Sequence, residues 1–314
     1  MSQNRRRLPG SVKLDTFGVP VFPSQIGNMP DAERTRAVAE VRKAITTRLR
    51  ILHFLLGSLG ILFAALILTL TITLDGAVGN YLSCFYTAFG TPTSSALLKI
   101  VANGCVTPFL IASVTLALYA ILYHLVLVVM QFEQYTRMFF GGVYDNPYRW
   151  VARAWAEPVF LLLALEASGM RNLVTIVMLM LLQSFAEYMR FASESSTEYV
   201  YNRNEMRTKI SERGRNSLHG AAYLSAIVVL GLLVAWIAFI AQDAGNVPLI
   251  TWLYAPAYVL YHIIYAFWAH IAMLPGATKY GARARLEFYW DIYIFFSYTV
   301  LTVLATIGSI YTLQ

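Results

Sequence analysis

The chain has 314 residues, of which 58% are hydrophobic and only 13% are charged, and its mean hydropathy is +0.56. Soluble globular domains carry about 25% charged residues, so this composition excludes an ordinary water-soluble fold and indicates an all-α, polytopic membrane protein. The net charge of +7 does not indicate nucleic-acid binding, because the basic residues follow the pattern of membrane topology.

The N-terminal segment, residues 1–47, is basic and precedes the first long apolar run, which begins near Leu49. Residues 1–30 hold four basic side chains against one acid, which favours a solvated tail over the alternative of a mitochondrial targeting segment. Residues 31–47 have helical spacing with Asp31 as a candidate cap, so we expect an interfacial amphipathic helix there. The apolar run is too long for the h-region of a secretory signal peptide.

Residues 48–314 form the predicted transmembrane domain. About 20 apolar residues cross the hydrocarbon core as a helix, and seven stretches satisfy this requirement. They are residues 48–74, 106–131, 149–168, 171–193, 217–242, 247–274 and 287–312. The third and fourth are separated by a short turn, for which Gly169 and Asn172 supply the residue types. The expected fold is therefore a bundle of seven transmembrane helices.

The 24 Lys and Arg residues are distributed unequally between the two sides of this bundle. Twenty-two lie on the side of the N-terminal segment, and only Lys99 and Arg171 lie on the other. Because the inner loops of membrane proteins are enriched in basic residues, we place the N-terminus inside and the C-terminus outside. The expected location is the plasma membrane or an organellar membrane, with the mitochondrial membrane as one alternative.

Two loops are long enough to hold structure of their own. The outer loop at about residues 75–105 is rich in aromatic residues with Gly and Pro breaks, which predicts a short β-hairpin or a packed lid. Cys84 and Cys105 either form a disulfide there or stay as free thiols, and their spacing is not that of a metal site. The inner loop between spans four and five mixes both charge signs and is expected to extend the flanking helices into solvent.

Ionisable side chains within the predicted spans are candidate functional residues, because charges are costly in a membrane. Arg153 and Glu157 are spaced i,i+4 in span three and can pair along one helix face, and Pro158 frees a backbone carbonyl beside them. We prefer a structural ion pair that lets Arg153 snorkel inward over a polar site or a proton relay. Glu187 and Arg190, spaced i,i+3, are interpreted as an interfacial pair.

Asp291 in span seven is expected to meet Arg153 or His270 across the inner half of the bundle. His124, His262 and His270 lie in spans two and six and titrate near neutral pH when unperturbed. The simplest expectation for each histidine is a hydrogen bond to a neighbour, and nothing in the sequence places the three together. The many aromatic residues of spans six and seven are expected in the membrane-interface belts or in the core.

Short motifs spread over about residues 50–305 resemble one family, the heliorhodopsins, in their order and spacing. The motifs are "LRILHFLLGSLGILF" in span one, "LYHL" at Leu122–Leu125, "DNPYRWV" at Asp145–Val151, "SGM" at Ser168–Met170, "NVP" at Asn246–Pro248 and "EFYWDIYIFFS" at Glu287–Ser297. The orientation with the N-terminus inside is also that of the heliorhodopsins and the reverse of ordinary microbial rhodopsins. The resemblance implies a rhodopsin-like bundle of inverted topology and a tendency to form homodimers.

The residues that hold retinal in that family are replaced in this chain. The resemblance places the Schiff-base lysine four residues after Ser297, at Leu301, and the counterion glutamate at Ala152. The partner histidine of the first helix would fall near Gly60, which leaves His124 as the retained polar residue of the pocket. Because a buried carboxylate is costly without a cation, the joint loss of lysine and glutamate is what a retinal-free descendant requires. No covalent cofactor and no metal are expected.

These observations predict a non-enzymatic scaffold or accessory subunit of a membrane complex. Its partners would be the lipid bilayer and a second copy or another membrane protein, bound through the N-terminal segment and the inner loops. One alternative is a sensor or binder of a small apolar ligand, including non-covalent retinal. That ligand would occupy a pocket formed by His124, Ser297, Thr299 and Leu301.

A second alternative is a proton or ion pathway through an intramembrane polar site of Arg153, Glu157 and Asp291. This alternative requires that the polar side chains form one continuous file, because isolated pairs conduct nothing. The sequence contains no Ser-His-Asp arrangement in a plausible context, no Gly-rich phosphate loop and no H-E-x-x-H motif. An enzyme is therefore not predicted.

Overall fold

The computed structural model describes most of the chain from residue 30 onwards. The described residues are 30–75, 108–128, 146–168, 170, 172–200, 205–208, 212–243, 249–273 and 282–311. They form seven α-helices, which are α1 (Asp31–Asp75), α2 (Pro108–Tyr119), α3 (Pro147–Ala167), α4 (Leu173–Ser195), α5 (Glu212–Asp243), α6 (Leu249–Met273) and α7 (Ala282–Tyr311). A π-helix, Ala120–Leu125, continues α2, and an antiparallel hairpin of β1 (Thr197–Val200) and β2 (Glu205–Thr208) separates α4 from α5.

Four of these helices contain segments that are long and apolar enough to cross a bilayer. The segments are Lys43–Leu70 of α1, Leu173–Ser195 of α4, Arg213–Gln242 of α5 and Arg285–Ile307 of α7. The apolar part of α2, Ile111–Leu125, is shorter. By length and composition, the described helices therefore suggest a membrane protein.

Helix α1 is continuous over 45 residues, so residues 31–47 and the first predicted span belong to one helix without a break between them. At 1.5 Å per residue this helix is about 68 Å long, more than twice the ~30 Å thickness of a hydrocarbon core. One end of α1 must therefore project well beyond any bilayer that its apolar part crosses. An interfacial position of residues 31–47 stays a prediction.

Contacts along the helices give their relative directions. Gly57 of α1 lies beside Leu125, and Gly60 lies beside Ala120, so residue numbers rise along α1 as they fall along α2. The same antiparallel relation holds between α3 and α4 and between α3 and α6. Helices α3 and α7 run parallel. Neighbouring helices can therefore share side-chain contacts over several turns.

The closest helix approach joins α1 to the π-helix. A Cβ atom added to Gly57 would lie 2.5 Å from Leu125 Cδ2, and one added to Gly60 would lie 2.5 Å from Ala120 Cβ. Small residues permit such close backbone approach between membrane helices. Two consecutive side chains of the π-helix, Tyr123 and His124, are fully buried. Single π-helical turns within α-helices are frequent at functional sites.

We expect Gly60→Ala to destabilise the protein by about 1–3 kcal/mol, because the new methyl group overpacks a filled contact. Its Cβ would meet Ala120 Cβ at 2.5 Å and a Phe295 ring atom at 3.1 Å. Gly231→Ala is the matched control, because a Cβ there has no atom within 4 Å and alanine favours the helix by about 1 kcal/mol. Thermal unfolding in detergent, followed by circular dichroism, measures both. Equal midpoints for Gly60→Ala and the wild type would contradict this packing.

Side-chain caps define the ends of α3 and α4. The Asn146 side chain caps the start of α3 by accepting a hydrogen bond from the Arg149 backbone N–H at 3.2 Å. The next residue is a proline, which is favoured at the first position of a helix. Asn172 caps α4 by accepting from the Thr175 N–H at 3.1 Å, as its position in the predicted turn requires. Between these helices the Ser168 carbonyl accepts from Trp236 Nε1–H of α5 at 3.0 Å. The short α3–α4 turn is thereby fixed to α5.

The inner loop between α4 and α5 differs from its prediction. Helix α4 ends at Ser195 and α5 begins at Glu212, so both helices extend beyond the predicted spans into the loop, but the β1–β2 hairpin, which was not predicted, lies between them. The hairpin pairs alternating polar and β-prone residues in register from Thr197 opposite Thr208 to Val200 opposite Glu205. The hairpin or lid predicted in the outer loop, with Cys84 and Cys105, lies outside the described residues.

Candidate functional site

Arg153 is the centre of a buried polar network. Its Nη1 lies 2.8 Å from Glu157 Oε1, so the pair expected from the i,i+4 spacing is present. Its Nε and Nη2 donate to both oxygens of Glu187 on α4 at 3.0 and 3.2 Å. Arg190 Nη1 also donates to Glu187, at 2.5 Å. Because Arg153, Glu157 and Glu187 are 0% exposed and Arg190 is 2% exposed, Arg153 does not snorkel, and Glu187–Arg190 is an interior pair.

Glu157 joins three helices at one carboxylate. Its Oε1 accepts hydrogen bonds from the phenols of Tyr261 on α6 and Tyr298 on α7, the latter at 2.6 Å. His262 Nε2 lies 3.2 Å from the other carboxylate oxygen. Hydrogen bonds to a charged group are stronger than those between neutral groups. Glu157 therefore connects α3 to α6 and α7, while Arg153 connects α3 to α4.

Pro158 creates a second link between α3 and α4. A proline inside a helix cannot donate to the carbonyl four residues before it, here that of Ala154. Ser184 Oγ of α4 donates to this carbonyl at 3.0 Å. A buried backbone acceptor is thereby satisfied by the neighbouring helix, which is the usual way that membrane helices tolerate proline.

Arg149 forms a similar centre one helical turn earlier in α3. Its guanidinium donates to Glu287 on α7 and lies 3.4 Å from Glu194 on α4. Trp150 Nε1–H donates to the same Glu194 oxygen, Oε2. The guanidinium carbon also lies 3.9 Å from the ring centre of Trp290, within the range of a cation–π contact. The charges at this end of the helices therefore form a compensated cluster.

The described partners of Asp291 differ from the two expected from the sequence, Arg153 and His270. It accepts from Tyr123 Oη at 2.8 Å and lies 3.5 Å from His53 Nε2, and it is 0% exposed. His270 is exposed on α6, and its described ring contact is with His219, at 6.5 Å. The α7 face that carries Asp291 is directed towards α1 and the π-helix, which explains why the expected contact is replaced.

His53 is a network residue that the sequence analysis missed. Its Nδ1 lies 2.8 Å from Nδ1 of His124, so one ring donates and the other accepts in that hydrogen bond. The analysis placed the partner of His124 near Gly60, where Ala120 leaves no room for a side chain. His53 lies seven residues, or two turns, earlier on the same helix face. The spacing of His53, Gly57 and Gly60 is the signal that could have located it.

The two residues at the positions that the resemblance assigns to the lysine and the counterion are buried and apolar, and aromatic side chains pack near one of them, Leu301. Leu301 is 1% exposed and Ala152 is 4% exposed. Tyr298, one turn before Leu301, stacks on Phe160 with ring centres 4.6 Å apart and meets Tyr119 edge-on at 4.8 Å. These contacts fill the interior with protein atoms one turn before Leu301.

The other residues of the predicted ligand pocket have separate partners. Thr299 is half-buried and donates to the Phe295 carbonyl of its own helix at 2.9 Å. His124 packs against His53, with ring centres 5.1 Å apart, and Ser297 is 9% exposed. The described contacts therefore do not bring these residues together around one space.

The polar network occupies one half of the helices. Beyond Glu157, the buried hydrophobic side chains of α3 are Phe160, Leu161, Leu163, Ala164 and Leu165, and those of α7 include Leu301 and Ala305. The buried polar residue of α7 at this depth, Thr302, is uncharged and donates to a carbonyl of its own helix. No group of three or more His, Cys, Asp or Glu residues suited to a metal ion occurs within the described ranges. The arrangement suits rigid helix locking better than transport across the whole bundle.

Comparisons with known proteins add no assignment. No protein-family model matches the chain, and no curated protein matches it. The residues and their geometry are therefore the basis for a function.

Proposed function

We propose that the chain is a retinal-free relative of the heliorhodopsins that serves as a non-enzymatic scaffold or accessory subunit of a membrane complex. The observation that carries this proposal is the use of every principal interior charge for helix-to-helix contact. Glu157 is engaged by Arg153, Tyr261 and Tyr298, and Glu187 by Arg153 and Arg190. A catalytic or conducting site would need accessible groups, whereas a rigid scaffold needs this kind of cross-linking.

The proposal includes seven transmembrane helices with the N-terminus inside. The alternation of helix directions between chain neighbours supports it, because a chain that crosses a membrane repeatedly must reverse at each loop. The separation of 22 basic residues from two supports the orientation. In this arrangement the Arg149 and Arg153 clusters lie in the inner half of the bundle.

The scaffold surface of this proposal is the inner side, where the extended α1, the β1–β2 hairpin and the basic N-terminal segment would meet a partner. A second copy is one such partner, since homodimers are expected from the resemblance. A long continuous helix such as α1 holds its two ends at a fixed distance from each other. Binding on this side would therefore place a partner at a fixed height above the membrane.

Native mass spectrometry of the protein, extracted with its surrounding lipid, tests this function. We expect an assembly of fixed stoichiometry that is heavier than the 35.2 kDa chain, and deletion of residues 1–30 should weaken or abolish it. Replacement of residues 1–30 by a neutral segment of the same length separates the effect of their charge from the effect of their length. A monomer in both the full-length and the shortened protein would contradict the scaffold proposal.

A further inference from the structure

A cleft opens at the end of the helices that carries the Arg149 cluster. It lies between the start of α3, the end of α4, the start of α5, the end of α6 and the first third of α7. Its empty volume is about 240 Å³ up to its open mouth, and its interior admits about one water-sized group. The side chains that the argument uses are Arg190, Glu194, His219, Ala272 and the two tryptophans Trp150 and Trp290.

Two of the side chains that line this cleft, Arg190 and His219, each carry a buried nitrogen atom without a described hydrogen-bond partner. Arg190 is 2% exposed, and its Nη1 is engaged by Glu187, but its Nε has no partner in the described part of the chain. His219 Nε2, on α5, is likewise buried without one. Buried polar nitrogen atoms without a partner are costly, so two of them at one cleft indicate that a further group normally satisfies them.

The electrostatic surroundings favour an anion as that group. The permanently charged neighbours described as acting on His219 are both cations, namely Arg190 and Arg215. Glu194 also lines the cleft, but its Oε2 already accepts from Trp150 and pairs with Arg149. Glu187 is neutralised in the same way by two arginines. Both acids are thereby paired with arginines, whereas the Arg190 Nε–H has no hydrogen-bond partner in the described part of the chain.

We infer that this cleft binds one small anion, either a halide or a single terminal oxygen of a phosphate group, held by Arg190 and His219. The interior admits one terminal phosphate oxygen, and the open mouth allows the rest of a phosphate to stay outside. A halide is larger than water and would lie at the mouth, in contact with the lining side chains. Free phosphate and a lipid headgroup carry the same chemistry. The site adds an anion-dependent contact between α4 and α5 to the scaffold described above, and it does not depend on that function.

Iodide quenching of tryptophan fluorescence tests this site, because Trp150 and Trp290 line it and iodide quenches on contact. In phosphate-free maltoside detergent we expect a saturable component of quenching above the linear collisional background. Inorganic phosphate, chloride or added phosphatidylglycerol should suppress the saturable component, and whichever competitor acts at the lowest concentration identifies the source of the anion. Purely linear quenching in the wild type would overturn the inference.

Variants separate the cleft from the rest of the protein. Ala272→Leu should fill the cleft and abolish the saturable component without altering any charge. His219→Leu should weaken iodide binding about 10-fold, the effect of losing one hydrogen bond to a charged ligand. His270→Leu, on the exposed face beside His219, is the matched control and should leave binding unchanged. A saturable component that persists in Ala272→Leu would place the anion elsewhere and contradict the assignment.

Discussion

Replacing Arg153 with leucine is expected to destabilise the protein by about 3–5 kcal/mol, because removal of one partner leaves buried charges uncompensated. Glu157 would keep its tyrosine donors but lose its cation at 2.8 Å, and Glu187 would keep only Arg190 of the two described arginines. The side chain is 0% exposed, so water cannot replace the guanidinium cheaply. Denaturant unfolding in mixed micelles measures the change.

Two comparisons make the result specific. Arg213→Leu removes an exposed arginine at the start of α5 and should change stability by less than about 0.5 kcal/mol. The double variant Arg153→Leu with Glu157→Gln removes one charge of each sign, so it should be more stable than Arg153→Leu alone. If the loss in the double variant equalled the sum of the losses in Arg153→Leu and Glu157→Gln alone, Arg153 and Glu157 would not be energetically coupled.

Replacing Tyr298 with alanine is the second change with a large expected effect, a loss of about 3–5 kcal/mol, as for other buried aromatic side chains. The ring is 0% exposed, stacks on Phe160 and donates to Glu157. Tyr298→Phe retains the ring and should lose about 1–3 kcal/mol, the contribution of the hydrogen bond. The difference between the two variants measures how far this ring fills the interior.

A small aromatic ligand provides the decisive check on that cavity. Engineered apolar cavities bind molecules of their own size, so phenol should raise the unfolding temperature of Tyr298→Ala and leave the wild type unchanged. Tyr289→Ala, at a side chain that is 42% exposed on the same helix, is the control and should cost little. Equal stabilities of the alanine variants at 298 and 289 would show that Tyr298 does not fill a core position.

Local sequence patterns were sufficient for several features of the site. The i,i+4 and i,i+3 spacings correctly paired Arg153 with Glu157 and Glu187 with Arg190, because helix geometry fixes these neighbours. Asn172 as a turn residue also followed from local chemistry. The apolar runs indicated membrane-spanning helices, and four helices of the required length and composition are present.

Contacts between helices were not accessible from the same patterns. A sequence pattern predicts which residues share one face of a helix, but not which neighbouring helix that face contacts. Asp291 was therefore expected beside Arg153 or His270, whereas its described contacts are with Tyr123 and His53. The π-helix changes the register within α2, and no residue type in "AILYHL" specifies it in advance. Likewise, the interior location of the Glu187–Arg190 pair depends on Arg153 of another helix.

Incubation of the purified protein with all-trans retinal tests most directly whether the protein is retinal-free. We expect no visible absorption band that hydroxylamine removes, because the positions that the resemblance assigns to the lysine and the counterion hold Leu301 and Ala152, and the ring of Tyr298 packs in the interior one turn before Leu301. A red-shifted pigment with a reducible Schiff base would contradict the account.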